Sequence, residues 1–173
     1  GVIEADDSIA DGYLLRASIL LAKDETESAL ENLNAALERD PRNLAALMTR
    51  AQVYSTQDNF EEALADVTRV LELRPDMKRA IELRSVIALA AGDYKRSISD
   101  FRRLLRRDPK NVGLRLQIAA VYVADDRPAL AIDIYDRLIE DDGEMWEAIR
   151  GRADAYLGMG AHDKAIADYS RAI

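Results

Sequence analysis

The chain has no cysteine and a single histidine, His162, among its 173 residues. The absence of cysteine excludes a disulfide scaffold, a thiolate metal site and a cysteine nucleophile. One histidine cannot supply a cluster of imidazole ligands, and no serine–histidine–acid arrangement or glycine-rich phosphate loop is apparent. The sequence therefore predicts a non-catalytic chain with no metal and no cofactor.

Long apolar runs are absent as well. No run approaches about 18 apolar residues, the length that a membrane-spanning helix needs, and no charged-then-apolar signal segment opens the chain. These absences predict no membrane insertion and slightly favour the cytoplasm. The 24 basic residues are outnumbered by 32 acidic ones, which gives a net charge of −8. Because phosphates require a basic face, this balance argues against a nucleic-acid partner.

What the chain does contain is apolar and helical in character. Hydrophobic residues make up 49% of the sequence, although only 6% are aromatic. Charged residues make up 32% of the sequence and are mixed in sign. Because the charges are mixed and the apolar fraction is high, the composition is not that of a disordered chain. The composition favours an all-α protein that is rich in alanine and leucine.

An internal repeat organises the chain. Pro41, Pro75 and Pro109 are spaced 34 residues apart, and the next step of this length reaches Gly143. We therefore predict one continuous repeat domain, in which an acidic N-terminal lead-in is followed by four full repeats and a truncated fifth: 1–9, 10–43, 44–77, 78–111, 112–145 and 146–173. Because the chain does not begin with Met and stops within the fifth repeat, we expect it to be a fragment of a longer protein.

Two columns of the repeat contain only alanine and serine. Position 8 is occupied by Ala17, Ala51, Ser85, Ala119 and Ala153. Position 20 is occupied by Ala29, Ala63, Ser97, Ala131 and Ala165. These columns predict two helices per repeat that cross where no larger side chain fits.

The remaining columns delimit these helices. Position 15, between the two helices, is always aspartate or glycine, residue types that tolerate a left-handed or capping conformation: Asp24, Asp58, Gly92, Asp126 and Gly160. Large apolar residues recur at positions 11, 21, 24 and 28 with helical spacing and are predicted to face inward. Each repeat is therefore predicted as helix A (positions 1–14) and helix B (positions 16–29), with Pro128 in the first turn of its helix.

This pattern resembles the tetratricopeptide repeat over residues 10–173. The resemblance rests on the small residue at position 8, the aromatic at 11, the Gly92-Asp93-Tyr94 turn, alanine at 20, the aromatic at 24 and proline at 32. It implies a right-handed superhelical solenoid of stacked antiparallel helix pairs, in which the A helices line a concave groove. Arg115 at position 4 and Gly143 at the proline position depart from the pattern.

Two further columns suggest an ion pair within each repeat. Position 7 holds Arg16, Arg50, Arg84 and Arg152, but Ile118 in the fourth repeat. Position 23 holds Asn32, Asp66, Asp100 and Asp168, but Ile134 in the same fourth repeat. Because a half-buried guanidinium requires a carboxylate, the joint exception indicates that the two positions touch. We interpret them as structural pairs rather than as active-site residues.

The resemblance implies that positions 2, 5, 9, 12 and 13 of helix A face the groove. The side chains in the middle of the groove are small and apolar, and those at its ends are polar. The sequence therefore predicts a non-catalytic scaffold for protein–protein interaction that binds a partner peptide or helix in this groove. The predicted partner-binding residues are Met48, Gln52, Ser55, Glu82, Val86, Leu89, Leu116, Ala120, Val123, Arg150 and Asp154.

Charge is distributed unevenly along the chain. Residues 1–77 hold 7 basic and 16 acidic residues, residues 78–111 hold 10 and 4, and the remainder holds 7 and 12. A secondary basic patch is predicted on helix B of the third repeat: Lys95, Arg96, Arg102, Arg103, Arg106 and Arg107. The patch is either a solvated face or a docking surface for an acidic segment. Another copy of the chain is one candidate source of such a segment.

Two alternative functions stay open on the sequence alone. In the first, the chain is a self-associating assembly protein, a homo-oligomer that uses its uncapped end (Tyr169, Ala172, Ile173) or the basic helix B. In the second, it is the targeting arm of an enzyme whose catalytic domain lies outside this chain.

Overall fold

A computed structural model describes the backbone of residues 2–172 and the side chains of residues 9–172. Within these residues the chain forms ten α-helices and no β-strand. The helices belong to two compact units, Gly1–Ala91 and Gly92–Ile173, which are called the N-terminal and the C-terminal unit below. The predicted all-α class is confirmed.

Five helices make up the N-terminal unit, and each packs against the next one along the chain, with an additional contact between α3 and α5. Helices α3 and α5 begin at the first residues of the second and third predicted repeats. Helix α1 begins ahead of Ala10, and the side chains of most of the predicted lead-in (1–9) lie outside the described residues. The helices are α1 (Val2–Leu21), α2 (Thr26–Arg39), α3 (Leu44–Thr56), α4 (Phe60–Leu73) and α5 (Lys78–Ala90).

The C-terminal unit also contains five helices, and each packs on its neighbour in the sequence. Helix α7 additionally contacts α9. Pro128 is the first residue of α8, where its missing N–H group leaves no bond unmade, as predicted. Ile173, part of the predicted uncapped end, lies outside the described residues. The helices are α6 (Tyr94–Leu105), α7 (Val112–Ala124), α8 (Pro128–Asp141), α9 (Trp146–Gly158) and α10 (His162–Arg171).

The turn between the two helices of each repeat depends on one left-handed residue. The residue at position 15 has a positive φ in every repeat, between 53° and 76°. The prediction for this column is confirmed, because glycine reaches this conformation without strain and aspartate tolerates it better than most residues. The five residues are Asp24, Asp58, Gly92, Asp126 and Gly160.

Side-chain caps mark three of the helix starts. The Asn43 Oδ1 atom accepts a hydrogen bond of 3.0 Å from the backbone N–H of Ala46, and Asn111 does the same for Leu114. Asp93 caps α6 through a 3.0 Å bond from the backbone of Arg96. Each cap satisfies an N–H group that the first helical turn leaves without a partner.

The alanine and serine columns lie in the interior. Nine of the ten residues at positions 8 and 20 have no exposed surface, and Ala165 is 2% exposed. Side chains this small allow the two helices of a pair to approach closely. The prediction that these columns are buried is confirmed throughout the five repeats.

Large apolar side chains complete the core, with one exception. At position 24, Leu33, Val67, Phe101 and Tyr135 are buried. At position 21, the prediction of an inward residue is wrong for Ile166, which is 63% exposed on α10. No described helix follows α10, so nothing in the described chain covers this side chain.

Helices α8 and α9 make an unusually close contact at Gly151. A Cβ atom built at Gly151 would lie 2.5 Å from Cζ of Tyr135 and 2.6 Å from its Oη, which is closer than atoms can approach. Any residue larger than glycine at this position of α9 would therefore force the buried Tyr135 side chain to shift. Burial raises the pKa of Tyr135 to about 12, with a further contribution from the charge of Asp154 and an opposing one from Arg150.

We predict that Gly151→Ala lowers the free energy of unfolding by about 1–3 kcal/mol, because the new methyl group overpacks the contact with Tyr135. Gly12→Ala in α1 is the matched control, since no described atom lies within 4 Å of its Cβ position. The control should raise the free energy of unfolding by about 0.5–1 kcal/mol through helix propensity alone. Urea unfolding monitored by circular dichroism measures both values, and equal effects would contradict the overpacking argument.

We also predict a loss of stability in alkali that depends on Tyr135. Its pKa is about 12 in the folded chain, against about 10 in an unfolded one. The unfolded state therefore releases this proton first, so stability is intact below pH 10 and falls as the pH rises towards 12. The loss should amount to about 2 kcal/mol at pH 12. Urea unfolding at several alkaline pH values should show a smaller loss for Tyr135→Phe than for the original chain.

Candidate functional site

A guanidinium on α3 joins three helices of the N-terminal unit. Arg50 Nε donates to Asp66 Oδ2 at 2.8 Å, and Arg50 Nη2 donates to Asp66 Oδ1 at 2.7 Å. Arg50 Nη1 donates to Asn34 Oδ1 on α2 at 2.7 Å. The hydrogen bond to Asp66 raises the pKa of Arg50 against the opposing effect of burial. This paired, fork-like geometry is the strongest form of such a contact.

The same cluster recurs in the C-terminal unit. Arg152 on α9 donates to both carboxylate oxygens of Asp168 at 2.7 and 2.8 Å, and its Nη1 donates to Asp136 on α8 at 2.6 Å. The hydrogen bond to Asp168 likewise raises the pKa of Arg152. The predicted contact between positions 7 and 23 is thus confirmed in the second and fifth repeats. The bond to position 25 of the preceding repeat is a contact that the sequence analysis missed.

The remaining predicted pairs differ from these two. In the first repeat, the side-chain amide of Asn32 donates to the Ser28 carbonyl at 2.7 Å, and Arg16 is exposed. In the third repeat, Arg84 lies on α5 and Asp100 on α6, which belong to different compact units. The pairing of Arg84 with Asp100 stays a prediction.

The Arg50 cluster borders a recess between a helix B and the following helix A, at the junction of two repeats, which we name the junction recess. In the N-terminal unit the recess has a volume of about 450 Å³. The one cation among its described lining residues is Arg50, which Asp66 already binds, and the lining includes the carboxylate of Glu38. Its lining residues are Asn34, Leu37, Glu38, Pro41, Leu47 and Arg50.

An equivalent junction recess lies between α6, α7 and α8 of the C-terminal unit, and its lining has different chemistry. Its volume is about 390 Å³, and Ile118 and Ile134 stand where the clusters have arginine and aspartate. Arg102 occupies position 25, where the two clusters have the acceptors Asn34 and Asp136. Among the described residues that line it there is no carboxylate: they are Arg102, Leu105, Pro109, Arg115, Ile118, Ile134 and Arg137.

A second cavity of about 970 Å³, the α6 cavity, shares Arg102 with this recess. Arg102 Nη2 donates to the Tyr122 hydroxyl at 2.7 Å. The guanidiniums of Arg102 and Arg127 lie 5.9 and 5.2 Å from the centre of the same Tyr122 ring. The cavity is lined by Gly92, Asp93, Tyr94, Lys95, Ile98, Ser99, Arg102, Arg106, Tyr122, Asp125, Arg127 and Leu130.

The predicted basic patch is distributed around this region. Lys95, Arg102 and Arg106 line the α6 cavity, whereas Arg96 Nε lies 3.3 Å from Asp93 Oδ2. The prediction that all six cations lie on helix B is wrong for Arg106 and Arg107, because α6 ends at Leu105. Arg103 is half-buried near the end of α6.

In the N-terminal unit, the predicted groove residues lie on α3 and α5. Val86 is 51% exposed although Ile87 beside it is fully buried. Met48 is buried more deeply than expected, at 7% exposure, but with Gln52 it lines a pocket of about 300 Å³ that also includes Leu44, Ala45, Thr49, Met77 and Arg79. The others range from half-buried to largely exposed: Gln52 is exposed, and Ser55, Glu82 and Leu89 are half-buried.

In the C-terminal unit, the predicted groove residues lie on α7 and α9. Arg150 lies 5.8 Å from the centre of the Trp146 ring, which is itself 51% exposed. Asp154 accepts a hydrogen bond of 2.5 Å from the Tyr169 hydroxyl, and this bond raises the pKa of Tyr169. The two polar residues thus already have contacts within the fold. Ala120 is exposed, and Leu116 and Val123 are half-buried.

Neither a metal-binding cluster nor a membrane-spanning helix is found in the described part of the chain. No group of three or more histidine, aspartate or glutamate side chains within it is arranged to hold a metal ion. Among the described helices, none is sufficiently long and apolar to cross a membrane.

Comparison with known proteins identifies the repeat. Models of the tetratricopeptide repeat match residues 14–66, 48–112 and 88–144. No curated protein matches the chain. Among solved structures, the chain is similar to a tetratricopeptide repeat protein from Parabacteroides merdae ATCC 43184, with 25% identity and a TM-score of 0.77 over 94% of this chain. It spans 63% of the length of that protein.

Two further structures share the fold at lower identity. MamA of Desulfovibrio magneticus RS-1, from residue 41 to its end, is 16% identical with a TM-score of 0.79, over 94% of this chain and 92% of that one. YrrB is 19% identical with a TM-score of 0.74, over 99% of this chain and 89% of that one. These likenesses support an all-α helical-repeat solenoid.

The ion clusters lead to a prediction about paired substitutions. Arg50→Ile leaves the carboxylate of Asp66 buried without its guanidinium and should lower the free energy of unfolding by about 3 kcal/mol. Arg50→Ile combined with Asp66→Ile copies the fourth repeat and should be about 1–2 kcal/mol more stable than the single variant. Urea unfolding of the two variants measures the difference. A double variant less stable than the single one would show that the two positions do not act as a pair.

Proposed function

Because the chain belongs to the tetratricopeptide repeat family, we propose that it is a non-catalytic protein-interaction scaffold whose A helices bind a peptide or helix of a protein partner. In the N-terminal unit the proposed surface is formed by α3 and α5, and in the C-terminal unit by α7 and α9. YrrB, which has this fold, is described as having an unusual peptide-binding site. That description supports peptide binding as a capacity of the fold.

The observation that carries the proposal is the exposure of Val86. It is 51% exposed in the middle of α5, whereas its neighbours Ser85 and Ile87 are fully buried. An aliphatic side chain gains nothing from contact with water, and burying it under a partner removes apolar surface from solvent. On the same unit, the pocket lined by Met48 and Gln52 offers space for one side chain of the partner.

In the C-terminal unit, the support comes from an apolar centre with polar neighbours. Leu116, Ala120 and Val123 keep part of their surface exposed on α7. Arg150 and Asp154 lie on α9, and their contacts with Trp146 and Tyr169 restrict their side chains. Apolar residues at the centre of an interface contribute most of the binding energy, while a polar rim sets orientation.

The test begins with peptides selected from a displayed random library on the 173-residue chain. For a selected peptide, Val86→Glu and Leu116→Glu should each weaken binding about tenfold or more, because each places a charge in an apolar contact. Ile166→Glu is the matched control, since Ile166 is a comparably exposed aliphatic residue that lies on α10, which is not an A helix. Fluorescence anisotropy measures the affinities, and circular dichroism verifies that each variant is helical.

The order in which single substitutions weaken peptide binding tests whether the A helices form the site. Val86→Ala and Leu116→Ala should weaken binding more than Glu82→Ala, because Glu82 is half-buried and lies only 3.6 Å from Lys78 in an ion pair on the same helix. If Ile166→Glu or Glu82→Ala were the most damaging variant, the A-helix surfaces would not be the binding site.

A further inference from the structure

We infer that the C-terminal unit carries a second binding site, independent of the A-helix surfaces, for an acidic protein segment that contains a large apolar residue. The site consists of the junction recess between α6, α7 and α8 together with the α6 cavity, which we name the α6–α8 channel. The two cavities share the side chain of Arg102 and have volumes of about 390 and 970 Å³. A ligand that occupies both must be extended, which favours a segment of a polypeptide over a small anion.

Cationic side chains predominate in the lining of the α6–α8 channel. Six cationic side chains line the channel: Lys95, Arg102, Arg106, Arg115, Arg127 and Arg137. Two carboxylates accompany them among the described lining residues, and Asp125 already lies 3.6 Å from Arg127, while Asp93 lies 3.3 Å from Arg96. In a chain whose net charge is −8, such a local excess of cations is complementary to an acidic partner.

Two of these cations lie beside the same aromatic ring. Arg102 and Arg127 both lie within 6 Å of the centre of the Tyr122 ring, and Tyr122 supplies a neutral hydroxyl rather than a carboxylate. Both guanidiniums therefore contribute positive charge beside this ring, and like charges repel each other. A carboxylate placed beside them relieves the repulsion and forms charge-assisted hydrogen bonds.

Equivalent recesses of the two units differ in how their arginine is paired. In the N-terminal unit, the guanidinium of Arg50 binds Asp66 and Asn34, so the junction recess satisfies its own cation. In the recess of the C-terminal unit, Ile118 and Ile134 replace that pair, and Arg102 replaces the acceptor. The described chain therefore lines this recess with no carboxylate, and a partner's carboxylate takes that role.

The recess also has apolar lining residues, which suit an apolar residue of the ligand. The apolar residues that line the recess are Ile118, Ile134, Leu105 and Pro109. Arg115 is held by a 2.8 Å hydrogen bond to the Pro109 carbonyl and by Asp141 at 3.6 Å. A cavity of this volume lies within the range that binds a compact ligand group, and its apolar lining favours an aliphatic or aromatic side chain. Carboxylates on either side of that residue then reach the guanidiniums.

The probe is a fluorescein-labelled peptide in which one phenylalanine is flanked on both sides by glutamates. It should bind the 173-residue chain with an affinity that falls as sodium chloride is raised, since salt screens charge pairs. Replacing its phenylalanine by serine, or its glutamates by glutamines, should weaken binding about tenfold or more. Equal affinity of the serine peptide would overturn the recess as an apolar anchor.

Protein variants locate the site. Arg137→Glu should weaken binding about tenfold, whereas Arg69→Glu, at the same repeat position on α4, should leave it unchanged. Ile118→Arg combined with Ile134→Asp rebuilds the pair of the other repeats, places a carboxylate inside the recess and should abolish binding of the peptide. If that double variant is not helical, Arg137→Glu alone decides. Retained affinity in Arg137→Glu would overturn the proposal.

Two further measurements distinguish this site from the A-helix surfaces and a separate partner from a second copy of the chain. Val86→Glu should leave the affinity of the acidic peptide unchanged, so failure of the A-helix proposal does not affect this one. Sedimentation equilibrium without peptide tests a second copy of the chain as the occupant. A dimer that dissociates in salt and is lost in Arg137→Glu would assign the channel to self-association and overturn the assignment to a separate partner.

Discussion

The close crossing of two helices at alanine or serine is the constraint on which the repeat depends. Positions 8 and 20 are buried in all five repeats, and no repeat contains a side chain larger than serine there. A larger residue would force the helices apart, which closely packed interiors do not accommodate. The left-handed residue at position 15 serves the same end. In the first, second, fourth and fifth repeats, whose two helices lie within one unit, it turns the chain within a few residues so that helix B returns onto helix A.

Once these backbone requirements are met, the other columns can vary in chemistry without changing the fold. Tyr135 and Gly151 illustrate a local exchange of volume, in which a large side chain on α8 is matched by the absence of one on α9. The arginine–aspartate clusters illustrate an exchange of charge. Both partners are present in the second and fifth repeats, and both are isoleucine in the fourth. A buried charge costs more alone than a pair or an apolar replacement does.

Sequence reasoning succeeded where the physical cause is local or repeated, and failed where it depends on neighbours. The periodicity predicted the helices, the turn residues and the pairing of Arg50 with Asp66, because each of these features is marked by a residue type that recurs at a fixed position of the repeat. It did not predict the exposure of Ile166, since that depends on whether another helix covers α10. Nor did it predict the bond from Arg152 to Asp136, because position 25 contains five different residue types. The groove residues remain predictions for the same reason: their burial, as Met48 illustrates, depends on the size of adjacent side chains.

The fourth repeat shows why a change of chemistry in one column requires a change in another. In the second and fifth repeats, the position 7 guanidinium donates from Nη1 to position 25 of the preceding repeat, where Asn34 or Asp136 accepts the bond. An arginine at position 25 would instead oppose that guanidinium, and the two like charges would repel each other in a partly buried site. Arg102 is therefore compatible with the fold because Ile118 has replaced the arginine it would face. Ile134, which occupies position 23 of the fourth repeat, follows from the same change, since a carboxylate there would have lost its partner on α7. Three linked changes thus convert a recess that pairs its own arginine with a carboxylate into one whose described lining contains arginines and no carboxylate.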